Sequence, residues 1–414
     1  MKEKSRKIPI DRSARFYPLI ATKRAQSIFS VSAIMKDDVD KDVLEVALND
    51  VLPRFSAYKV RMKKGYGWHY FEPNDERAKV FDLPEKMLQP IDERATNGYL
   101  FRISCGEKQI KLEIFHALTD GNGAMAFLRT LICRYRELCG FAPVESDCTI
   151  DWRDCSTDDE IADAFEQNYK PVKLRELHLL KFAGKAPHRL GGTLLTDGYE
   201  EDISVANADD ILKSAKEHSA SFTVFVSALL CATIDRTGRA SKPIALMVPV
   251  NLRALYGSNT MRNFVTFARI VIEPNKCKTL DDYVEEIKKQ LKEKASKEKM
   301  DDFVSMTVRA QKNVIFRALP LFVKSFFLKL GRLFMRSRQT IIISNLGSIE
   351  LSEQMGVERL VFNTNVSKNS TQNVGMVTLN GKTCFAFTRA VKEKNLPDAF
   401  FKALQANDVE VCNV

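Results

Sequence analysis

The sequence predicts an α/β or α+β protein of two lobes, on three observations. A chain of 414 residues is too long for one ordinary core. Segments of helical spacing and segments of strand spacing are mixed in both halves, which calls for helices layered on sheets. Between about residues 140 and 200 the pattern loosens into stretches rich in Gly, Pro, Asp and Thr, and this places a boundary near residue 190. The expected lobes are residues 1–190 and 191–414.

In order, VDKDVLEVALNDVL (39–52) has the apolar spacing of an amphipathic helix, and RFSAYKVRM reads as a strand. IKLEIF (110–115) alternates apolar and polar residues, the period of a half-buried strand. After a glycine-containing loop, AMAFLRTLICRYREL resumes helical spacing. In the second half VANADDILKSAKEHSA and SFTVFVSALLCATIDRTG read as helices, the latter with Ser221 or Thr223 as N-cap and Gly238 beyond its end. KPIALMVPVNLR, FVTFARIVIEP and QTIIISNLG are apolar, β-branched strand candidates. VGMVTLNGKTCFAFTRA carries Asn380-Gly381 between two strand patterns, a strong hairpin signal. NLPDAFFKALQAN closes as a helix with Pro397 in its first turn.

Composition is that of a globular protein, 45% hydrophobic and 28% charged. No segment approaches the apolar length of a bilayer span or a signal peptide, which gives a cytoplasmic expectation. The nine cysteines include no CxxC pair, so neither a disulfide framework nor a metal site is signalled, and reduced thiols are expected. A net charge of +10 suits an anionic partner, but the lysines are largely interleaved with acids and no nucleic-acid motif is present, so nucleic acid is not expected.

The chemistry-bearing segment is FHALTDGNG. His116 sits where the strand pattern ends, before a loop, where a neutral imidazole could act as a general base near neutral pH. The structural alternative is a strand-terminal histidine, with Asp120 as helix N-cap and Gly121 and Gly123 shaping the turn. The other histidines, His69, His178, His188 and His218, have no partners at ligand spacing and are read as surface or core residues.

His116-Ala117-Leu118-Thr119-Asp120-Gly121 resembles the HxxxDG motif of the coenzyme A-dependent acyltransferase superfamily, which includes chloramphenicol acetyltransferase, the plant BAHD enzymes, alcohol acetyltransferases and nonribosomal condensation domains. LEVALNDVLPRFSAYKVRM, SFTVFVSALLCA, VPVNLR and ISNLG resemble further segments of that family in order and spacing, so the resemblance covers most of the chain. It implies two chloramphenicol acetyltransferase-like lobes, each a mixed β-sheet with flanking helices, and an active-site tunnel between them.

The resemblance further implies an acyl-CoA-dependent O-acyltransferase, expected to be an alcohol acetyltransferase with acetyl-CoA as co-substrate and no resident cofactor or metal. His116 would deprotonate an alcohol or amine acceptor for direct attack on the thioester. Asp120 would pair with Arg253 of VPVNLR and hold the loop. Ser344 and Asn345 are candidate oxyanion donors, or else a strand end with satisfied polar groups. Gly121 would allow close backbone approach or simply a turn. Asn251 and Asn263 are candidates for shaping the donor tunnel. Phe115 stands where condensation domains carry a first histidine, which favours free acyl-CoA over a carrier-bound donor. An acyl carrier protein remains an alternative, as does a catalytically silent ligand-binding or partner-binding member of the fold. Two lobes in one chain favour a monomer.

VIFRALPLFVKSFFLKLGRLFMRSR (314–338) is basic and strongly apolar. It reads as a helix packed on its own lobe with lysines outward, or as a segment that lies on an anionic membrane or lines a lipid channel.

Overall fold

The computed structural model describes residues 7–21, 27–143, 150–171, 186–238, 240–334, 339–367 and 370–413. Cys148, His178 and positions 335–338 of the basic apolar segment lie outside them.

Two large sheets and one small one organise the chain. The five-stranded sheet runs in the order Val357–Asn363, Ile28–Met35, Gln109–Phe115, Phe101–Gly106, Val80–Asp82, antiparallel except for its last pair. The helices Lys41–Val51 and Gly121–Leu138 pack on each other and share its core. Each starts on an aspartate: Asp40 accepts from the N–H groups of Asp42 and Val43, and Asp120 from those of Asn122 and Gly123. These caps satisfy donors that the first helical turn cannot pair internally.

The second sheet has seven strands in the order Val265–Ile272, Ile244–Asn251, Ile341–Ile349, Gln372–Leu379, Lys382–Arg389, Glu200–Asn207, Val411–Asn413. It is mixed, with parallel pairing on both sides of Ile341–Ile349 and antiparallel pairing elsewhere. The helix Phe222–Gly238 is buried from Val224 to Ile234 against this sheet and the helices Leu280–Lys294 and Asn395–Gln405. Among the described residues no single helix is long and apolar enough to cross a membrane.

Several expectations change in detail. The strand expected at RFSAYKVRM is confined to Val60–Lys64, because Phe55 and Tyr58 turn inward as a ring cluster with Phe127. Gln109–Phe115 alternates as expected but is covered on both faces. Glu113 is buried, receives the N–H of Leu88 and pairs with Arg102. The helix at 208 begins after Asn207, its N-cap, so Val205 to Asn207 end a strand. Phe222–Gly238 starts after Ser221 and includes Gly238 as its last residue. Seven of the described cysteines are free thiols.

A cut at residue 190 does not separate the sheets. Val357–Asn363 comes from the second half of the chain and pairs with Ile28–Met35 at the edge of the first sheet. A loop from the second half crosses as well: the Met261 N–H donates to Glu160, and the Met261 carbonyl accepts from Tyr58 and Thr119. These crossings tie the sheets together where His116 emerges.

Candidate active site

The central strands of the larger sheet part company at one point. Ile341 and Ile342 pair with Leu246 and Met247, after which Ile341–Ile349 keeps only its other neighbour. Pro249, two residues beyond Met247, has no N–H to continue the ladder. The two strands splay, and a cavity of about 330 Å³ occupies the gap and the space between the sheets. Pro249 and Asn251 line one side, Ser344, Asn345 and Leu346 the other, and His116 faces them from the five-stranded sheet.

His116 follows directly on Gln109–Phe115 and is held by its backbone N–H, which donates to the Ser27 carbonyl at 2.8 Å. Its ring is stacked on Tyr17, with centroids 4.6 Å apart and planes 15° apart, and meets the edge of Phe29 at 4.9 Å. Asn263 reaches it from the second half of the chain. The Asn263 amide N–H donates to the His116 carbonyl at 3.0 Å, which turns the amide oxygen toward Nδ1 at 2.9 Å. The ring proton is therefore drawn to Nδ1, and Nε2 is the nitrogen with a free lone pair. Burial holds the imidazole below its ordinary range, opposed by the Asp120 carboxylate and the bond to Asn263. A neutral ring in a fixed tautomer is what a general base requires.

Asp120 has no such freedom. Its carboxylate accepts from Arg253 at 2.9 and 3.0 Å in a two-pronged pair, from the Phe264 N–H at 2.9 Å, and from the two capping amides. None of these bonds goes to His116; they tie Asp120 to Arg253 and to the backbone of the loop and its neighbours, the pairing that the motif implies. Arg253 is equally engaged. Its remaining N–H groups reach the carbonyls of Thr260 and Arg262 and the side chain of Asn251, so all five donors are used.

Gly121 makes a close approach: a Cβ there would come within 2.6 Å of Leu346 Cδ2. Gly123, expected only to shape the turn, is tighter still, since a Cβ would press on Thr119 Oγ1 and lie 2.5 Å from the Met261 carbonyl. Neither glycine has a positive φ, so both are required for space rather than for backbone conformation. Ser344 and Asn345 differ. Asn345 accepts from the Gly347 N–H at 2.8 Å and lies 3.5 Å from Thr223 Oγ1, while Ser344 lines the cavity with no partner for its hydroxyl among the described residues. Asn251 lines the cavity but also braces Arg253 through its backbone N–H at 3.1 Å. Asn263, expected to shape a tunnel, lines the cavity and also orients the histidine. Tyr17 was not foreseen, and nothing near it in sequence marks it as a ring partner of His116. Among the described residues no group of three or more His, Cys, Asp or Glu could hold a metal ion.

No protein-family model matches this sequence, and no curated protein matches it. Solved structures do match its fold. The epimerization domain from the third module of tyrocidine synthetase B is 13% identical with a TM-score of 0.66, over 97% of this chain and 96% of that one. The chain has the two-lobed condensation fold. Polyketide synthase associated protein 5 from Mycobacterium tuberculosis aligns at 14% identity and a TM-score of 0.62, over 98% of each chain. The trichothecene 15-O-acetyltransferase of Fusarium sporotrichioides aligns at 12% identity and a TM-score of 0.62, over 96% of this chain and 93% of that one. The resemblance carried by the HxxxDG segment is thus borne out for the fold over nearly the whole chain.

Proposed function

We propose that the protein is an acyl-CoA-dependent O-acyltransferase, transferring an acetyl or other acyl group to an alcohol, with His116 as general base. The observation that carries this reading is the His116 ring, neutral and fixed by Asn263, facing a cavity that opens where the strands splay. Among proteins of this fold, one is named an acetyltransferase, and a starter condensation domain of rhizomide synthetase is in complex with C8-CoA.

The acceptor hydroxyl gives its proton to Nε2 as its oxygen attacks the thioester carbonyl. The resulting oxyanion receives the Ser344 hydroxyl, a donor in the cavity wall with no partner among the described residues. Collapse breaks the carbon–sulfur bond, and the leaving thiolate takes the proton from the imidazolium. The neutral ring is restored, and no enzyme-bound acyl intermediate forms.

The test is thiol release from acetyl-CoA and longer acyl-CoAs with a panel of alcohols and amines, for the wild type and a His116→Ala variant that melts like it. Acceptor-dependent release lost in the variant supports the proposal. Release by both proteins alike sinks His116 as the base. No release with any donor moves the donor to an acyl carrier protein, or makes the chain a silent binding protein of this fold.

A further inference from the structure

The basic apolar segment is built the opposite way from a soluble helix. It breaks at Pro320 into Val314–Ala318 and Leu321–Phe334. In the second helix Lys324 faces inward, fully buried, donating to the carbonyls of Gly67 at 2.9 Å and Arg317 at 3.3 Å, with its ammonium 4.5 Å from the Trp68 ring. Phe322, Phe326 and Phe327 point outward, 75%, 62% and 60% exposed, and Val314 is 78% exposed. Against the expectation, Lys324 is turned inward and three phenylalanines outward, while Lys329 is exposed as expected. Burying an ammonium and leaving three phenylalanines in water are both unfavourable. The arrangement becomes favourable when the outer face meets an apolar phase.

Charge identifies that phase. From Phe303 to Ile349 the sequence contains no Asp or Glu but eight Lys and Arg residues. Arg317 and Lys329 are exposed beside the phenylalanines. Exposed aromatic rings flanked by cations, with no carboxylate among them, fit the boundary between acyl chains and anionic headgroups.

We propose that this surface docks the protein on an anionic lipid bilayer, the rings inserting while Arg317 and Lys329 meet the headgroups. The surface is joined to the site. Ser325 Oγ donates to the Leu19 carbonyl at 3.0 Å in the turn Tyr17–Ile20, whose Tyr17 stacks on His116. Gln339, beyond the other end of the segment, lines the cavity. Docking therefore brings the cavity close to the bilayer, and an acceptor drawn from it would be an amphiphilic alcohol. That consequence rests on the acyltransfer reading; the docking does not.

The experiment is co-sedimentation of the full chain with phosphatidylcholine vesicles, with and without phosphatidylglycerol. The wild type should pellet with the anionic vesicles, less so as salt rises, and weakly with phosphatidylcholine alone. The triple variant Phe322→Ser/Phe326→Ser/Phe327→Ser should lose about tenfold or more of that binding, and Lys329→Glu should lose part of it. His116→Ala should bind like the wild type, which separates docking from catalysis. Absence of wild-type binding, or equal binding by the triple variant and Lys329→Glu, overturns the proposal. So does a wild-type dimer that the triple variant dissociates without any vesicle binding, since the face would then be an interface between copies.

Discussion

His116 and Asp120 stand four residues apart in one loop, and their surroundings are opposite. Asp120 accepts five hydrogen bonds and faces an arginine with no donor to spare. His116 bonds to the Asn263 amide, stacks on an aromatic ring and faces a cavity. The difference separates an anchor from the proposed base: a side chain whose capacity is saturated by the protein can hold a shape, whereas proton transfer needs a group left partly unsatisfied. The loop needs both, because the base is only as well placed as the anchor that fixes the loop end.

That contrast can be broken from either side. The largest effect is expected from His116→Ala, which should lower acceptor-dependent thiol release by ~10²–10⁴-fold with little change in the melting temperature. Asp120→Ala should act through stability. It leaves the Arg253 guanidinium buried and unpaired, at a cost of ~3–5 kcal/mol in urea unfolding, with activity falling alongside stability. The double variant Asp120→Leu/Arg253→Met should be more stable than Asp120→Ala alone. If it is not, the ion pair is not what locks the loop.

Ser344→Ala should lower kcat by ~10²–10³-fold while leaving stability nearly unchanged. An unaltered kcat would return Ser344 to the role of a strand end. Smaller effects are expected at the glycines. Gly121→Ala meets the end of the Leu346 side chain, which can move, and should cost ~1 kcal/mol. Gly123→Ala meets the Met261 backbone and should cost more, toward ~3 kcal/mol, by thermal or denaturant unfolding.

The pH profile sharpens the comparison most finely. Burial opposes protonation of His116, so its pKa in the folded protein lies below the ordinary 6.5. Protonation removes the base, and activity should therefore persist as pH falls through 6.5, with the acid limb of kcat/KM below that value. Asn263→Asp places a carboxylate against Nδ1, favours the imidazolium and should move the limb to higher pH. An unmoved limb would mean that it reports some other group.

Local features were legible because their physics is local. Asn380 and Gly381, at φ 46° and 76°, form the two-residue turn that Asn-Gly announces, since that turn requires positive φ at both positions. Asp120 caps the helix that the apolar spacing after it predicts, and the HxxxDG segment with its later companions pointed to the two-lobed fold. Asn263 was expected to shape the tunnel and does line the cavity, but its bond to the His116 ring was not legible. Its partner is 147 positions away, and nothing nearby in sequence shows which lobe it faces. For 314–334 two orientations stayed open for a related reason: spacing identifies an amphipathic helix but not which face the rest of the molecule covers.

By itself the sequence determined most of the elements, several of their caps and turns, and which histidine is proposed as the base, because these depend on backbone propensity, side-chain period and a short motif. Only the tertiary structure decided the tautomer of His116, the splay that opens its cavity beyond Met247, and the outward turn of Phe322, Phe326 and Phe327 over a buried Lys324. Each of these depends on groups far apart in the chain, and their partnership comes into being only when the sheets, tied by Val357–Asn363 and the Met261 loop, are brought together.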